Sequence, residues 1–517
     1  MSKFYSYLDD FNLITIIVPL KYREDFTSYF KVIGNDEEID LEIVSSELIG
    51  AERKYITKFD GYILLNHMYF IYDDRNETSE LFTGKIVRTE LFDDIYFYEP
   101  TDLGSSYRRD RTKFKIWTPT AKYMKLELLD KKDQKEIIDM DYDNQGVWYL
   151  RLHGNYEGYR YRYISYVNGK EHTFIDPYAI SSNANAEYSY VVDHSRIYKM
   201  KYQRPKFSGT MNDAVIYEAH VRDFTISKSI HAKYPGKYKS FTEEKLKTPK
   251  GNSAGFDYLT ELGITHVQLL PVFDFGGVDE LNPDKLYNWG YNPEQYNVPE
   301  GWYSTDPNDP YKRINELREL VDNLHKKNLR VVMDVVFNHV YNHETFPFEK
   351  IVPGYAYRFD EQGLLTDSSG CGNDLASERK MVRKFIIDAV MYWAREFKMD
   401  GFRFDLMGLT DIKTMNTLRQ KLDRYRSDII VYGEGWKMPT SLPYERTAHM
   451  FNKHLLFNIG HFNDKTRESI KGATFQVKQK GYALGSQAKI DDVKNILLGS
   501  CLNKYLFRYP AQSINYV

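Results

Sequence analysis

From about residue 211 onward, strand-like stretches of the chain alternate with helix-like ones. That succession forces parallel pairing, because each helix carries the chain back to the same end of the sheet. Strand-like runs fall at 214–221 (AVIYEAHV), 265–272 (THVQLLPV), 329–336 (LRVVMDVV), 400–406 (DGFRFDL), 429–436 (IIVYGEGW), 455–462 and 513–517. Helical periodicity fills the gaps at 256–262, 313–327, 382–397 and 411–425. In 313–327, for example, Leu317, Leu320, Val321 and Leu324 form one stripe. A parallel sheet or a (β/α)8 barrel is therefore expected. Long inserts follow the second and third strands, the second of them at 341–375, on the rim where barrels carry their sites.

The preceding residues read differently. Residues 1–105 hold short strand-like runs (13–18, 61–65, 68–72) separated by charged turns such as DDRN at 73–76, which predicts a small, sandwich-like β-domain. Residues 106–205 alternate strictly in TKFKIW (112–117) and in GVWYLRL (146–152), which follows a turn signal. Tyr159, Tyr161 and Tyr163 interleave with Arg160 and Arg162, as in an antiparallel sandwich with one packed and one wet face. Three domains are expected, at 1–105, 106–205 and 206–517.

Charge is nearly balanced, with 70 basic and 73 acidic residues and no long run of one sign. That excludes a nucleic-acid arm or a membrane-surface patch. No apolar run approaches the roughly 18 residues of a membrane span. Asp9 and Asp10 precede the short apolar run at 13–20, which is not the pattern of a signal peptide. Only Cys371 and Cys501 occur, so no disulfide framework is needed and a cytoplasmic protein is expected. Aromatic residues make up 15% of the chain, which suits stacking on sugar rings but equally a biased composition.

Chemistry concentrates at the strand ends. On a strand at 400–406, Phe402, Phe404 and Leu406 face one way while Arg403 and Asp405 face the other. Burying that pair is costly unless the two groups serve each other or a ligand. The run at 429–436 brings Glu434 to a strand end between two glycines, which leave room beside its carboxyl. Two carboxylates at the ends of consecutive strands are the equipment of glycoside hydrolysis. Asp334 and Asn338 share a face at the end of the third strand, and His339 follows at the rim as a donor for a sugar hydroxyl. His339 and His343 are four apart, a zinc spacing only on a helix, so no metal is assigned. GNSAG at 251–255 matches a nucleophile elbow but follows a charged run rather than a strand, and is rejected. YNWGYNP at 287–293 gathers three aromatics, of which Tyr291 is the candidate to stack on a sugar; a loop-anchoring cluster is the alternative.

DVVFNHV, GFRFDLMG and VYGEGW resemble the first three motif regions of the α-amylase superfamily, glycoside hydrolase family 13. YNWGYNP together with GEGW is similar to the type I pullulanase branch, and 114–179 resembles the sandwich that precedes the barrel in debranching enzymes. The resemblance implies retaining hydrolysis of α-1,6-glucosidic bonds in pullulan, amylopectin and glycogen-derived dextrins. It makes Asp405 the nucleophile, Glu434 the acid/base and Arg403 the residue that orients Asp405. His339 and Tyr291 would hold the sugar, Asp334 and Asn338 would support the site, and Trp436 would line it. Arg403 would keep Asp405 ionised, and Glu434, with no cation beside it in sequence, would hold its proton longer. The partner is a branched α-glucan, no cofactor is required, and no calcium-loop motif marks a structural calcium.

Three departures stand out. Asn292 replaces a frequent Asp, and His461 replaces a usual Phe. The fourth region, with its third Asp, and the eighth strand are expected beyond INYV, where Val517 stands, so the barrel is expected to be incomplete. An isoamylase-like enzyme is the nearest alternative. A non-catalytic glucan-binding protein is another, should the chain end there.

Overall fold

Period-two alternation in the first eighty residues builds a sheet that closes on itself. The computed structural model describes residues 3–476, 478–497 and 513–514. Strands β1 (Tyr5–Asp10), β2 (Leu13–Pro19), β3 (Phe30–Gly34), β4 (Glu37–Ile49), β5 (Glu52–Lys58), β6 (Phe70–Asp73) and β7 (Thr78–Thr83) form a barrel in the order β1-β2-β5-β4-β3-β6-β7. Parallel pairing of β7 with β1, Ser6 opposite Leu81, completes it and leaves no open edge. Ile14, Ile16, Phe30, Tyr55 and Ile71 fill the interior. The first β-assembly is thus a closed barrel, where the sequence suggested a sandwich. The run at 61–65 is not a strand: Ile63 and Leu65 are buried, but their backbone joins no ladder.

After helix α1 (Glu90–Tyr96) come β8 (Gly104–Arg108), β9 (Arg111–Trp117), β10 (Tyr123–Leu129), β11 (Lys135–Asp139), β12 (Asp141–Tyr142), β13 (Val147–His153), β14 (Arg160–Val167), β15 (Lys170–Phe174) and β16 (Ser189–Tyr190). They make two antiparallel sheets, β12-β13-β9-β8 and β11-β10-β14-β15, with β16 on β14. Tyr161 and Tyr163 are fully buried. Arg162, on the opposite face of β14, pairs with Glu127 directly across on β10 at 2.8 Å.

The chain divides into two compact units. The first comprises Met1–Ser195, Asn342–Tyr357 and Arg379–Met381; the second comprises Arg196–Tyr341, Arg358–Glu378 and Val382–Val517. Part of the insert expected on the barrel rim therefore belongs to the first unit. Within that unit Thr118 and Thr120 donate to the Ile351 carbonyl at 2.6 and 3.0 Å. Tyr355 packs on Trp117 with ring centroids 5.2 Å apart.

The second unit holds strands β17 (Ile216–Ala219), β18 (His266–Leu269), β19 (Phe273–Phe275), β20 (Pro293–Pro299), β21 (Arg330–Val335), β22 (Gly401–Phe404), β23 (Ile430–Gly433), β24 (Gly460–Phe462) and β25 (Ser513–Ile514). Seven of them run parallel in chain order, β17-β18-β21-β22-β23-β24-β25, while β19 and β20 form a separate hairpin. The strand expected at 513–517 is described only over β25. Pairing in chain order is what successive right-handed βα units produce. Helices α2 (Tyr238–Phe241), α3 (Gly255–Glu261), α4 (Lys312–Lys326), α5 (Pro347–Ile351), α6 (Lys380–Glu396), α7 (Ile412–Tyr425), α8 (Asp464–Ile470) and α9 (Ile490–Leu497) complete the chain, α5 belonging to the first unit. The stripe of Leu317, Leu320, Val321 and Leu324 on α4 is buried, as its spacing demands. None of the described helices is long and apolar enough to cross a membrane.

Candidate active site

Register fixes the site. Val335 on β21 pairs with Phe404 on β22, and Phe404 with Gly433 on β23. The ladder continues one step further, with Asp405 N donating to Val335 O at 2.9 Å and Glu434 N to Phe404 O at 3.0 Å. Asp405 and Glu434 therefore leave neighbouring strands side by side, with backbones about 5 Å apart. The glycines around Glu434 serve a different purpose from the one expected. A Cβ on Gly433 would lie 2.4 Å from the Phe404 carbonyl, and one on Gly435 would lie 2.1 Å from His461 Nδ1. They permit close packing against adjacent strands rather than open space beside the carboxyl.

Arg403 joins three carboxylates. Its Nη1 donates to Asp334 Oδ1 at 2.9 Å and Asp405 Oδ1 at 3.0 Å, and its Nη2 to Glu434 Oε1 at 2.6 Å. The expectation that Glu434 lacks a cation is corrected: sequence adjacency pointed Arg403 at Asp405 alone, but the planar fork spans both strands. Burial nevertheless raises the Glu434 pKa, with Asp405 adding to the effect and Arg403 opposing it. Glu434 Oε2 also accepts from Leu406 N at 3.2 Å. Leu406 adopts a left-handed conformation at φ 39°, ψ 43°, a strained backbone for a leucine that turns the chain out of β22.

Asp334 is wholly buried, and burial pushes its carboxyl up to about 8 against the opposing pull of Arg403. Tyr291 donates its hydroxyl to Asp334 Oδ2 at 2.8 Å, and its ring lies 5.7 Å from the Arg403 guanidinium. Asn338 Nδ2 donates to Asp405 Oδ2 at 2.9 Å. His339 differs from expectation. Its Nδ1 faces Asn338 Oδ1 at 2.6 Å and its Nε2 faces the Tyr291 carbonyl at 2.9 Å, so neither nitrogen is open to a sugar. The ring instead fixes the Asn338 amide and the Tyr291 loop. Trp436 stands apart, half-buried against the cluster of Val332, Ile430, Tyr432 and Phe462.

Sequence reasoning missed a chain of hydrogen bonds in the same sheet. Tyr432 donates its hydroxyl to Gln268 Oε1, and Gln268 Nε2 donates to Glu218 Oε2 at 2.6 Å. The signal was Gln268, a polar residue inside the apolar run THVQLLPV.

Among the described residues, Asp274, Glu280 and Glu300 bring carboxylate oxygens within 4.8 Å of one another, a donor set that hard cations accept. Arg313 already occupies that cluster, at 2.8 Å from Glu280 and 3.5 Å from Asp274. Glu300 accepts from the backbone of Trp302 and Phe275. Arg313 pairs with two of the three carboxylates, and no cation is assigned to the set.

The chain was compared with known proteins. Residues 4–88 match the pullulanase N1-terminal domain, 102–179 carbohydrate-binding module 48 (isoamylase N-terminal domain), and 233–353 the alpha amylase catalytic domain. A pullulanase of Bacillus subtilis (strain 168) is 39% identical over 99% of this chain and 72% of its own length. A crystal structure of a pullulanase from Anoxybacillus sp. LM18-11 complexed with maltotriose superposes with a TM-score of 0.95 at 41% identity, covering 99% of this chain and 74% of that one. The type I pullulanase of Bacillus subtilis str. 168 complexed with maltose gives 0.96 at 38% identity, covering 100% and 73%. On the motifs, the fold and these relatives together, the chain belongs to the pullulanase family.

Proposed function

We propose that the chain is a debranching glycoside hydrolase that cleaves α-1,6-glucosidic bonds of pullulan, amylopectin and glycogen-derived dextrins with retention of configuration. The observation that carries this reading is the single guanidinium of Arg403 holding Asp405 and Glu434 on adjacent strands. One guanidinium bonded to both carboxyls, at 3.0 and 2.6 Å, keeps them near each other, in keeping with the short carboxyl spacing of retaining enzymes.

In the first step Asp405 attacks the anomeric carbon while the Glu434 carboxyl gives its proton to the departing glycosidic oxygen. In the second, Glu434 takes a proton from water, whose oxygen displaces Asp405. Arg403 and Asn338 aim Asp405. Tyr291, anchored through Asp334 and His339, offers its ring to the sugar. Trp436, two residues past Glu434 and half-buried, is the further candidate for contact with the glucan. Carboxylates and water suffice, so no cofactor enters. The parallel strands are read as a (β/α)8 barrel within 206–517, behind β-modules at 1–105 and 106–205. The free, exposed thiol of Cys371 suits the cytoplasm.

Incubating the chain with pullulan tests the reading. Release of maltotriose supports it; cleavage of linear amylose with pullulan untouched overturns it.

A further inference from the structure

The backbone that carries Asn338 and His339 lies past the end of β21 at Val335, and residues 336–340 join no strand ladder. Asn338, His339 and Val340 are each no more than 2% exposed. Backbone groups buried in that way need partners, and three successive carbonyls find them outside the ladder. Asn338 O accepts from Leu375 N at 2.9 Å, His339 O from the Tyr296 hydroxyl at 2.8 Å, and Val340 O from Asn373 Nδ2 at 2.8 Å. Asn373 Oδ1 in turn accepts from Val340 N at 3.0 Å. One side-chain amide thus meets both backbone groups of Val340, as a paired strand would.

Asn373 is itself held. It is 1% exposed, and its carbonyl accepts from the Ser369 hydroxyl at 2.8 Å. The neighbouring Asp374 carboxylate gathers the Thr366 hydroxyl at 2.7 Å, Ser368 N at 2.8 Å and Ser369 N at 2.9 Å, and its carbonyl accepts from Arg358 N at 3.0 Å. This part of the insert is a fixed brace against 338–340. Val340 is two residues from Asn338, whose amide donates to Asp405 Oδ2 at 2.9 Å. A backbone shift at Val340 therefore reaches that bond.

We propose that Asn373 is a positioning residue for the debranching reaction: by clamping both backbone groups of Val340 it sets the angle at which Asn338 meets Asp405. The proposal rests on the glycosidase reading above and extends it to a residue of the insert.

Two measurements on the full chain test it. Hydrogen exchange, read on peptides by mass spectrometry, should quicken at least about tenfold at 338–341 in Asn373→Ala, while 330–335 on β21 stays within about twofold. Unchanged exchange at 338–341 overturns the clamp. Equal quickening of both peptides also overturns it, because Asn373 would then serve overall stability alone. For pullulan, kcat should fall about ten- to a hundredfold in Asn373→Ala with KM within about threefold. In a chain already carrying Asn338→Ala, the same substitution should cost less than about threefold, since the bond it protects is gone. Equal losses in the two backgrounds overturn the route through Asn338. Asn373→Asp keeps the acceptor for Val340 N but has no donor for Val340 O, so it should show the same local exchange and lowered kcat, and it replaces Asn373→Ala should that variant not fold. A parent chain that leaves pullulan uncut overturns the glucan reading alone, and the exchange measurement still decides the clamp.

Discussion

Arg403 Nη2 donates to Glu434 Oε1 at 2.6 Å, so the side chain that orients one carboxylate also restrains the other. A cation at that distance favours the ionised form of Glu434, yet burial outweighs it and the carboxyl is shifted upward. The proton needed by the leaving group is therefore kept by exclusion of water.

If Asp405 and Glu434 have separate roles, Asp405→Asn and Glu434→Gln should each lower pullulan turnover by about 10⁴-fold or more. Both replacements keep size but turn one accepting oxygen into an NH2 group that faces a donor, so urea unfolding should move by no more than about 3 kcal/mol. Turnover within tenfold of the parent for either variant contradicts the assignment.

Arg403→Lys keeps a positive charge but cannot span three carboxylates with one ammonium. Turnover should drop at least about tenfold. The alkaline limb of the pH profile should also move to higher pH, because that limb follows loss of the Glu434 proton and Arg403 holds that pKa down. A limb that stays put, or moves to lower pH, would show that another group sets it.

Gly435→Ala places a methyl 2.1 Å from His461 Nδ1 and 3.1 Å from Met450 N. His461 is 1% exposed and cannot swing away. The variant should lose about 1–3 kcal/mol of stability and a large part of its turnover. Adding His461→Ala should recover part of both, with a favourable coupling of at least about 0.5 kcal/mol in a double-mutant cycle. Additive losses would place the strain elsewhere.

In the first unit Asp176 is buried and accepts from the Tyr161 hydroxyl at 2.7 Å and Tyr178 N at 2.8 Å. Burial raises its carboxyl from the ordinary 3.8 to about 6. Between pH ~4 and ~6 the folded chain thus binds a proton that the unfolded chain has released. Stability from this group is present below pH ~4 and declines as pH rises, by up to about 3 kcal/mol in total. Asp176→Asn removes that slope, so urea midpoints of parent and variant measured at pH 4.5 and 7 should show a smaller decline in the variant. Parallel declines would contradict it.

Much of this molecule can be read from period and motif. The strands at 265–272 and 329–336 contain β18 and β21, and the stripe on α4 is buried as spaced. Side-chain geometry across strands was less legible. Arg403 precedes Asp405 by two residues, which suggests one partner; its third contact depends on the register of β22 with β23, which no local pattern encodes. His339 was expected to be open because a rim position is exposed in general, but Asn338 and the Tyr291 loop close over both nitrogens. Barrel closure in the first eighty residues turns on one parallel pairing between strands about seventy residues apart, and alternation alone is blind to that.

The segment Asn342–Tyr357 is covalently part of the stretch between β21 and α6, yet it is built into the first unit, where Val352 and Tyr355 are buried. A ribosome that has completed residue 195 has therefore not yet made everything the first unit needs. That unit can reach its final packing only after residues 342–357 and 379–381 have emerged, by which time β17, β18 and β21 of the parallel sheet are already available. Neither unit can be isolated by a single cut, and cleavage after Ser195 would leave buried aromatic surface without its cover on either piece.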